Sequence, residues 1–257
     1  MNFQFGAAGF FAFLLALVRA SAWLTFVPPF STAAVPAIVK FGLAAALSLT
    51  VSAQFAATSG AGSLTTGEFV GDIVVQGATG AALGLITSLL LSALTSAGAL
   101  TDMSSGLSAA QSFNPFSGTV NPITANTYTL LATTLLFATQ GYLLVVKGFL
   151  TSFQAIGLTS KGARLLGATL VSDVGFFFLA AVEVAAPVMA AMFLAYVALG
   201  LLTRAAPQLN VMALGFGINI AIAFVVITAC LPLLPGAVST LVARGVRDGL
   251  GVLGISP

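Results

Sequence analysis

Six long apolar stretches with very few charged residues constrain this sequence more than any other feature. Of its 257 residues, 59% are hydrophobic and 5% are charged, whereas an ordinary soluble domain is about 25% charged. The mean hydropathy is +1.12. So few charges cannot cover a water-exposed surface. Much of the protein surface must therefore face lipid, or other proteins that take the place of lipid. The composition predicts an all-α protein of membrane class.

The apolar stretches are long enough to predict six helices, since a membrane-spanning helix needs about 20 apolar residues. Their predicted bounds are residues 6–27, 36–57, 69–100, 124–150, 168–203 and 208–235. The third would be about 48 Å long at 1.5 Å per residue, against a hydrocarbon core of about 30 Å, so the longest helices must tilt, break or project beyond a bilayer. Pro187 predicts a kink in the fifth helix.

The connections between these stretches predict one domain of helical hairpins over residues 1–257. Glycine and proline mark a central loop at 101–123 between the third and fourth helices. A C-terminal tail at 236–257 mixes apolar and charged positions, as an interfacial or partner-facing helix would, although Gly245, Gly249 and Gly251 weaken that interpretation.

The sequence lacks the residues that several classes of function require. Histidine is absent and the only cysteine is Cys230, so the usual zinc, copper and haem ligand sets and the Ser-His and Cys-His nucleophiles are missing. No phosphate-binding loop follows a strand pattern, and no basic run could bind nucleic acid. We expect no catalytic residues, no metal, no cofactor and no nucleic-acid partner. One enzymatic alternative is an intramembrane protease that uses Asp72 and Asp173.

A stripe of small residues in the third helix predicts close packing with another helix. Residues with small or polar side chains recur at every fourth position, in the order Gln76, Gly80, Gly84, Ser88, Ser92 and Ser96. In apolar surroundings such positions allow backbones to approach and hydrogen bonds to form between helices. The interface lies either within this chain or between subunits, and the sequence leaves both open.

Five ionisable residues lie inside apolar stretches, where a charge is costly: Arg19, Asp72, Lys147, Asp173 and Glu183. Asp72 and Lys147 are near the ends of their stretches and could reach water. Arg19, Asp173 and Glu183 are predicted to be buried polar residues. Asp173 and Glu183 are ten positions apart and share a broad helix face, so they could line a polar path or pair with Arg19. A structural salt bridge is favoured over a proton relay.

The central loop carries aromatic residues in a flexible context. Phe113 and Phe116 flank Asn114-Pro115, and Gly106 begins the loop. A hydrophobic constriction on a glycine-rich tether can close a pore by excluding water. An ordinary hairpin turn with two anchoring rings is the alternative.

Several motifs resemble one family along nearly the whole chain. They are Arg19-Ala20-Ser21-Ala22, Pro28-Pro29-Phe30, Val35-Pro36 with Lys40, Glu68 followed by Gly71, Gly77, Gly80 and Gly84, Phe113-Asn114-Pro115, and Arg204-Ala205-Ala206-Pro207-Gln208-Leu209-Asn210-Val211 with Gly215-Phe216. The sequence resembles the FliR family of flagellar type III secretion export-gate proteins, whose counterparts in virulence systems are called SctT. Two departures are Asn114, where the family often has Asp, and Gln140-Gly141-Tyr142, where an acidic-Gly-His pattern is frequent.

The resemblance implies a channel-forming subunit of a multi-subunit helical export gate. Its implied site is the bacterial inner membrane at the flagellar basal body, in contact with lipid. The implied partners are FliP-like, FliQ-like, FlhB-like and FlhA-like proteins, together with unfolded flagellar export substrates. The loop would act as a plug through Gly106, Phe113, Asn114, Pro115 and Phe116. Assembly would use Gly80, Gly84, Ser88, Ser92, Arg204, Pro207, Gln208 and Asn210. The alternatives are a virulence-system counterpart and a polytopic secondary transporter, which would show inverted repeats.

Overall fold

The protein is helical throughout the part of the chain that its computed structural model describes. Those residues are 7–28, 30–32, 35–55, 66–108, 122–155, 166–206 and 211–252, and they contain no strand. The predicted all-α class is therefore confirmed. In chain order the helices are α1 Ala7–Phe26, α2 Ala37–Phe55, α3 Thr66–Ser105, α4 Ile123–Ala138, α5 Gly141–Ala155, α6 Leu166–Ala205, α7 Val211–Cys230 and α8 Leu234–Val252. A 3-10 turn, Leu231–Leu233, joins α7 to α8.

Four segments of the described chain are long and apolar enough to cross a membrane. They are Gly9–Phe26, Thr66–Ser105, Asp173–Ala205 and Gly215–Gly251. The pair α4 and α5 gives a fifth candidate if it forms one broken span, and α2 contributes the shorter apolar stretch Ala37–Ser52. The prediction of a membrane-class helical protein with long apolar helices is confirmed.

The fourth predicted helix, residues 124–150, is divided in the structure into α4 and α5. The two helices are bent by 74° across Thr139 and Gln140. Gln140 has a φ of 57°, in the left-handed region that ends a helix after its last turn. The Thr139 amide still donates to the Leu135 carbonyl at 2.8 Å, and the Leu143 amide donates to the Gln140 carbonyl at 3.0 Å to start α5. The prediction of one continuous helix was wrong because a glutamine occupies the position that glycine normally marks.

Most of the C-terminal tail predicted at 236–257 belongs to a regular helix, α8. This helix begins at Leu234, two residues before the predicted tail. α7 ends at Cys230, and α8 extends to Val252. Gly245 and Gly249, which weaken the prediction of a helix in this tail, allow α8 to pack closely against α3. A β-carbon on Gly245 would lie 3.4 Å from Leu90 Cδ1, and one on Gly249 would lie 3.1 Å from Leu83 Cδ2. The glycine face of α8 thus packs against α3 within the chain.

The proline in α6 does not end the helix. Pro187 lies inside the helix Leu166–Ala205, which continues on both sides of it. The turns that follow carry buried residues, since Val188, Met192 and Ala195 form a cluster with Ala223 of α7. This cluster joins α6 and α7 as neighbouring helices.

The chain forms two compact units, each assembled from separated segments. The first unit comprises residues 1–90, 140–174 and 241–257, and the second comprises residues 91–139 and 175–240. In the first unit α2 packs against α1. The single domain predicted over residues 1–257 stays a prediction.

Candidate functional site

A fully buried arginine links three helices of the first unit. Arg19 of α1 donates from Nε to Oε1 of Gln76 in α3 at 2.6 Å. Its Nη1 donates to the Ser152 backbone oxygen of α5 at 3.0 Å and to Ser152 Oγ at 3.3 Å. The guanidinium carbon lies 4.1 Å from the centroid of the Phe153 ring. Oriented dipoles and an aromatic face therefore stabilise this buried charge.

Aromatic rings pack beside the arginine in the same unit. Trp23 of α1 stacks on Phe149 of α5, with ring centroids 4.3 Å apart and planes 18° apart. Phe149 in turn meets Phe153 edge to face at 5.3 Å. All three side chains are nearly or fully buried. One end of this aromatic cluster faces the guanidinium, so the apolar and polar contacts of α1 with α5 form a continuous interface.

Two glycines of the small-residue stripe pack against α1. A β-carbon on Gly80 would collide with the Arg19 carbonyl group, and one on Gly84 would lie 2.8 Å from the Trp23 carbonyl oxygen. Ser88 is half-buried and Ser92 is exposed. The sequence left open whether the stripe packs within this chain or between subunits. Gly80 and Gly84 pack within the chain.

The stripe does not form one straight face, because an α-helix has 3.6 residues per turn. Residues four apart are rotated by about 40° about the helix axis, so the five steps from Gln76 to Ser96 add up to about 200°. A straight neighbour such as α1 can follow only part of such a winding row. Gln76, Gly80 and Gly84 are consequently buried, whereas exposure increases toward Ser92.

Asp173 and Glu183, the other two residues predicted to be buried, differ in their exposure to solvent. Asp173 is fully buried, and among the described residues neither of its carboxylate oxygens has a hydrogen-bond partner. It lies near Arg244 and Asp248, which form an ion pair at 3.1 Å along α8. Glu183 is exposed on α6, so its predicted burial is wrong for this chain alone, because no other described helix covers that face.

A carboxylate closes the base of the central loop in the second unit. The Thr124 amide donates to both oxygens of Asp102, at 3.2 and 3.0 Å, and the Ala125 amide donates to Oδ2 at 3.3 Å. The preceding residue of α4, Pro122, makes no side-chain capping bond. Asp102, buried at the end of α3, therefore caps the N-terminus of α4 and places a negative charge where the helix dipole favours one.

The sequence does not predict this contact, because the predicted central loop begins at residue 101 and so includes Asp102. α3 extends five residues past its predicted end, to Ser105, so Asp102 belongs to a helix. Gly98 lies one turn earlier, and a β-carbon there would overlap the backbone of Thr124 and Ala125. Two features together could have indicated this contact: an Asp at the end of one helix, and a later helix whose N-terminal cap position, Pro122, is not Ser, Thr, Asp or Asn.

The predicted tether residue Gly106 ends α3. Its φ is 78°, which glycine adopts without strain, and its amide donates to the Met103 carbonyl at 3.4 Å. Tyr196 of α6 donates from its hydroxyl to the Ser104 carbonyl at 2.9 Å, which satisfies one of the free carbonyls at the helix end. The other plug candidates, Phe113, Asn114, Pro115 and Phe116, lie outside the described residues.

The signature between α6 and α7 is described only at its start. Arg204 is exposed in the last turn of α6, where the helix dipole favours a cation. Pro207, Gln208 and Asn210 lie outside the described residues. Within the described ranges, no group of three or more His, Cys, Asp or Glu residues could hold a metal ion.

These helices and contacts define a membrane-class helical protein, and the sequence matches the family model of the bacterial export proteins, family 1, over residues 10–245. Because the match covers most of the chain, the protein belongs to this family. The curated relatives are all named flagellar biosynthetic protein FliR, so the resemblance inferred from the motifs is confirmed.

Three of these relatives show how much of the chain the similarity covers. The Bacillus subtilis (strain 168) protein is 28% identical over 253 residues, which cover 95% of this chain and 96% of the relative. The Pectobacterium carotovorum protein is 26% identical over 224 residues, covering 87% and 85%. The Escherichia coli (strain K12) protein is 26% identical over 221 residues, covering 85% and 83%. The similarity thus concerns nearly complete proteins.

Proposed function

We propose that this chain is a channel-forming subunit of the flagellar type III export gate in the bacterial inner membrane, at the flagellar basal body. It would help to conduct unfolded flagellar proteins out of the cytoplasm without catalysing a reaction. Membership of a bacterial export family, the flagellar names of the relatives and the four to five membrane-length helices support this proposal. The virulence-system and transporter alternatives have no comparable support.

The exposed apolar surface of α6 supports assembly with other subunits. Phe178 and Phe193 are 62% and 67% exposed in the isolated chain. The membrane-length part of α6, Asp173–Ala205, has 33 residues, or about 50 Å at 1.5 Å per residue, against about 30 Å of hydrocarbon. An untilted helix of this length therefore extends beyond the hydrocarbon core, and other subunits can cover the part that projects. FliP-like, FliQ-like, FlhB-like and FlhA-like proteins are the partners we propose for the assembly.

The observation that carries the plug proposal is the closed base of the central loop. Asp102 holds the start of α4 against the end of α3, and Gly106 ends α3 four residues later. The residues between Gly106 and the start of α4 are therefore connected at both ends to helices that pack against each other. Such an attachment suits a segment that closes a pore, with Phe113 and Phe116 as its sealing side chains.

The plug proposal is tested by replacing residues 110–116 with glycine and serine at unchanged loop length. This change removes Phe113 and Phe116 but keeps the base of the loop, so assembly should persist while the membrane becomes permeable to small ions. Conductance of vesicles that contain the purified complex measures the leak. Complex containing the unaltered chain is the control. Normal assembly with unchanged conductance would contradict the plug.

The broader proposal is tested by deleting the gene in its host. Motility and secretion of flagellin should be lost and should return when the chain is supplied from a plasmid. Full secretion in the deletion strain would exclude an essential role in flagellar export.

A further inference from the structure

A carboxylate without a hydrogen-bond partner lies at a buried junction of helices in the first unit. Asp173 of α6 has no exposed surface, and neither of its carboxylate oxygens has a partner among the described residues. An isolated buried charge is costly, so such a group either acquires a counter-charge or becomes neutral. The groups around Asp173 decide which of the two applies.

Within the described ranges, the charged groups that act on Asp173 are two residues of α8. Arg244 donates from Nε to Asp248 Oδ2 at 3.1 Å, one turn along the same helix. The Asp173 carboxyl lies within hydrogen-bond reach of the Asp248 carboxyl, and Arg244 is near it as well. Arg244 makes no hydrogen bond to Asp173, so its charge chiefly offsets the charge of Asp248.

The charges of this cluster do not balance. Two carboxylates and one guanidinium leave one negative charge without a counter-charge. Two ionised carboxylates also cannot hydrogen-bond to each other, because each offers only acceptor atoms. One proton meets both requirements, since a protonated carboxyl donates to an adjacent carboxylate, and two carboxyl groups that share a site commonly hold one proton between them.

A proton fits this site better than a larger cation does. Asp173 has no exposed surface, so a basic side chain of another subunit cannot reach it. A magnesium or calcium ion takes about six or more oxygen ligands, and the described chain has no group of three or more His, Cys, Asp or Glu residues that could hold a metal. The Asp248 side chain, in contrast, is 23% exposed and gives a proton a path to water.

We propose that Asp173 keeps a proton in the folded chain at neutral pH and donates it to Asp248, so that a proton-dependent hydrogen bond joins the start of α6 to α8. Asp248 then accepts from both Asp173 and Arg244, and no charge at the junction lacks a partner. The inference does not depend on the proposed function, because it concerns only contacts within the first unit.

Loss of this proton acts on the contact between α6 and α8 and leaves the other contacts of α8 in place. The packing of α8 on α5 is apolar and carries no titratable group: a β-carbon on Gly148 would lie 2.6 Å from Val246 Cγ1. At the junction with α6, deprotonation places two like charges side by side in a buried site, where they repel each other. The start of α6 is therefore the element whose attachment changes with pH.

Infrared spectroscopy of the purified full chain in detergent tests the proposal. A protonated carboxyl absorbs at a higher frequency than a carboxylate, and its band shifts in heavy water. At neutral pH the unaltered chain should show such a band. Asp173→Asn and Asp248→Asn should each lose it, because the one carboxylate that remains is then paired with Arg244. Glu183→Gln, which changes an exposed carboxyl on α6, should keep it.

The unaltered chain decides the question even if a variant fails to fold. A spectrum of this chain without a protonated-carboxyl band at neutral pH would overturn the proposal. A band that persists unchanged in folded Asp173→Asn would overturn it as well.

Thermal unfolding, followed by the fluorescence of Trp23, gives a second readout. An aspartate in the unfolded chain loses its proton near about pH 4, whereas the folded chain keeps it. The folded state then binds more protons, so stability should fall as the pH rises above about 4. An asparagine amide donates without titrating, and Asp173→Asn should therefore flatten this dependence, while Glu183→Gln should not. The same pH dependence in Asp173→Asn and the unaltered chain would contradict a proton at this site.

Discussion

At the scale of single residues, Arg19 holds the first unit together through directional contacts. Its side chain contacts α3 through Gln76 and α5 through Ser152, while Gly80 allows α3 to lie against its backbone. A planar guanidinium can donate in several fixed directions at once, which an ammonium cannot. The residue therefore fixes the relative placement of three helices rather than a single pair.

Replacing Arg19 should destabilise the first unit. Arg19→Met leaves Gln76 Oε1 and the Ser152 carbonyl without their donor in a buried site, which we expect to cost about 3 kcal/mol. Arg19→Lys should recover only part of this loss. Fluorescence of Trp23, the only tryptophan and a neighbour of Phe149, measures thermal unfolding of the purified chain in detergent.

Lys147→Met is the matched control for this experiment, because it removes an exposed cation from α5. It should leave the unfolding midpoint nearly unchanged. An equal midpoint for Arg19→Met and the unaltered chain would show that the buried hydrogen bonds contribute nothing to stability.

At the scale of helices, close approach rather than helix propensity decides which glycines matter. Alanine stabilises an exposed helical position by up to about 1 kcal/mol relative to glycine. Gly80→Ala should nevertheless destabilise the first unit, since the added methyl group would meet the Arg19 carbonyl. Gly42→Ala in α2 meets nothing within 4 Å and should be neutral or slightly stabilising. Thermal unfolding followed by Trp23 fluorescence compares the two, and the same midpoint shift in both would refute the packing argument.

Sequence patterns predicted the helices well where they depend on hydrophobic length alone. The bounds of α1 and α2 differ by at most two residues from the prediction, and α6 is found as one long helix. Long apolar runs encode such elements locally. The break at Gln140 escaped prediction because a left-handed glutamine has no strong sequence signal.

Contacts between distant residues were the part of the site that the sequence could not supply. Arg19 was recognised as a buried polar candidate, but Gln76 and Ser152 are 57 and 133 positions away from it. The cap of α4 by Asp102 likewise joins residues 22 positions apart across the loop. Such partners depend on tertiary packing, and no local periodicity identifies them.

At the scale of the whole molecule, the length of α6 predicts a surface that a bilayer cannot cover completely. Phe178 and Leu201 are 62% and 65% exposed. They lie 23 positions apart on one helix, or about 35 Å at 1.5 Å per residue, which exceeds a hydrocarbon core of about 30 Å unless the helix tilts strongly.

Cysteine labelling tests this prediction in a Cys230→Ala background. With Phe178→Cys and Leu201→Cys made separately, at least one should react with a water-soluble maleimide when the chain alone is in a nanodisc. Both should be protected in the assembled complex, where sister subunits replace water. Protection of both positions in the isolated chain would indicate that lipid suffices to cover α6.

The cap that Asp102 places on α4 has a consequence for how the connection between α3 and α4 can change. Because the helices are joined at its base, the number of intervening residues enters the folding free energy chiefly through loop-closure entropy. Each doubling of loop length then costs only about 0.6 kcal/mol. The segment can consequently gain or lose residues during evolution at little energetic cost, while the two helices that carry it stay the same.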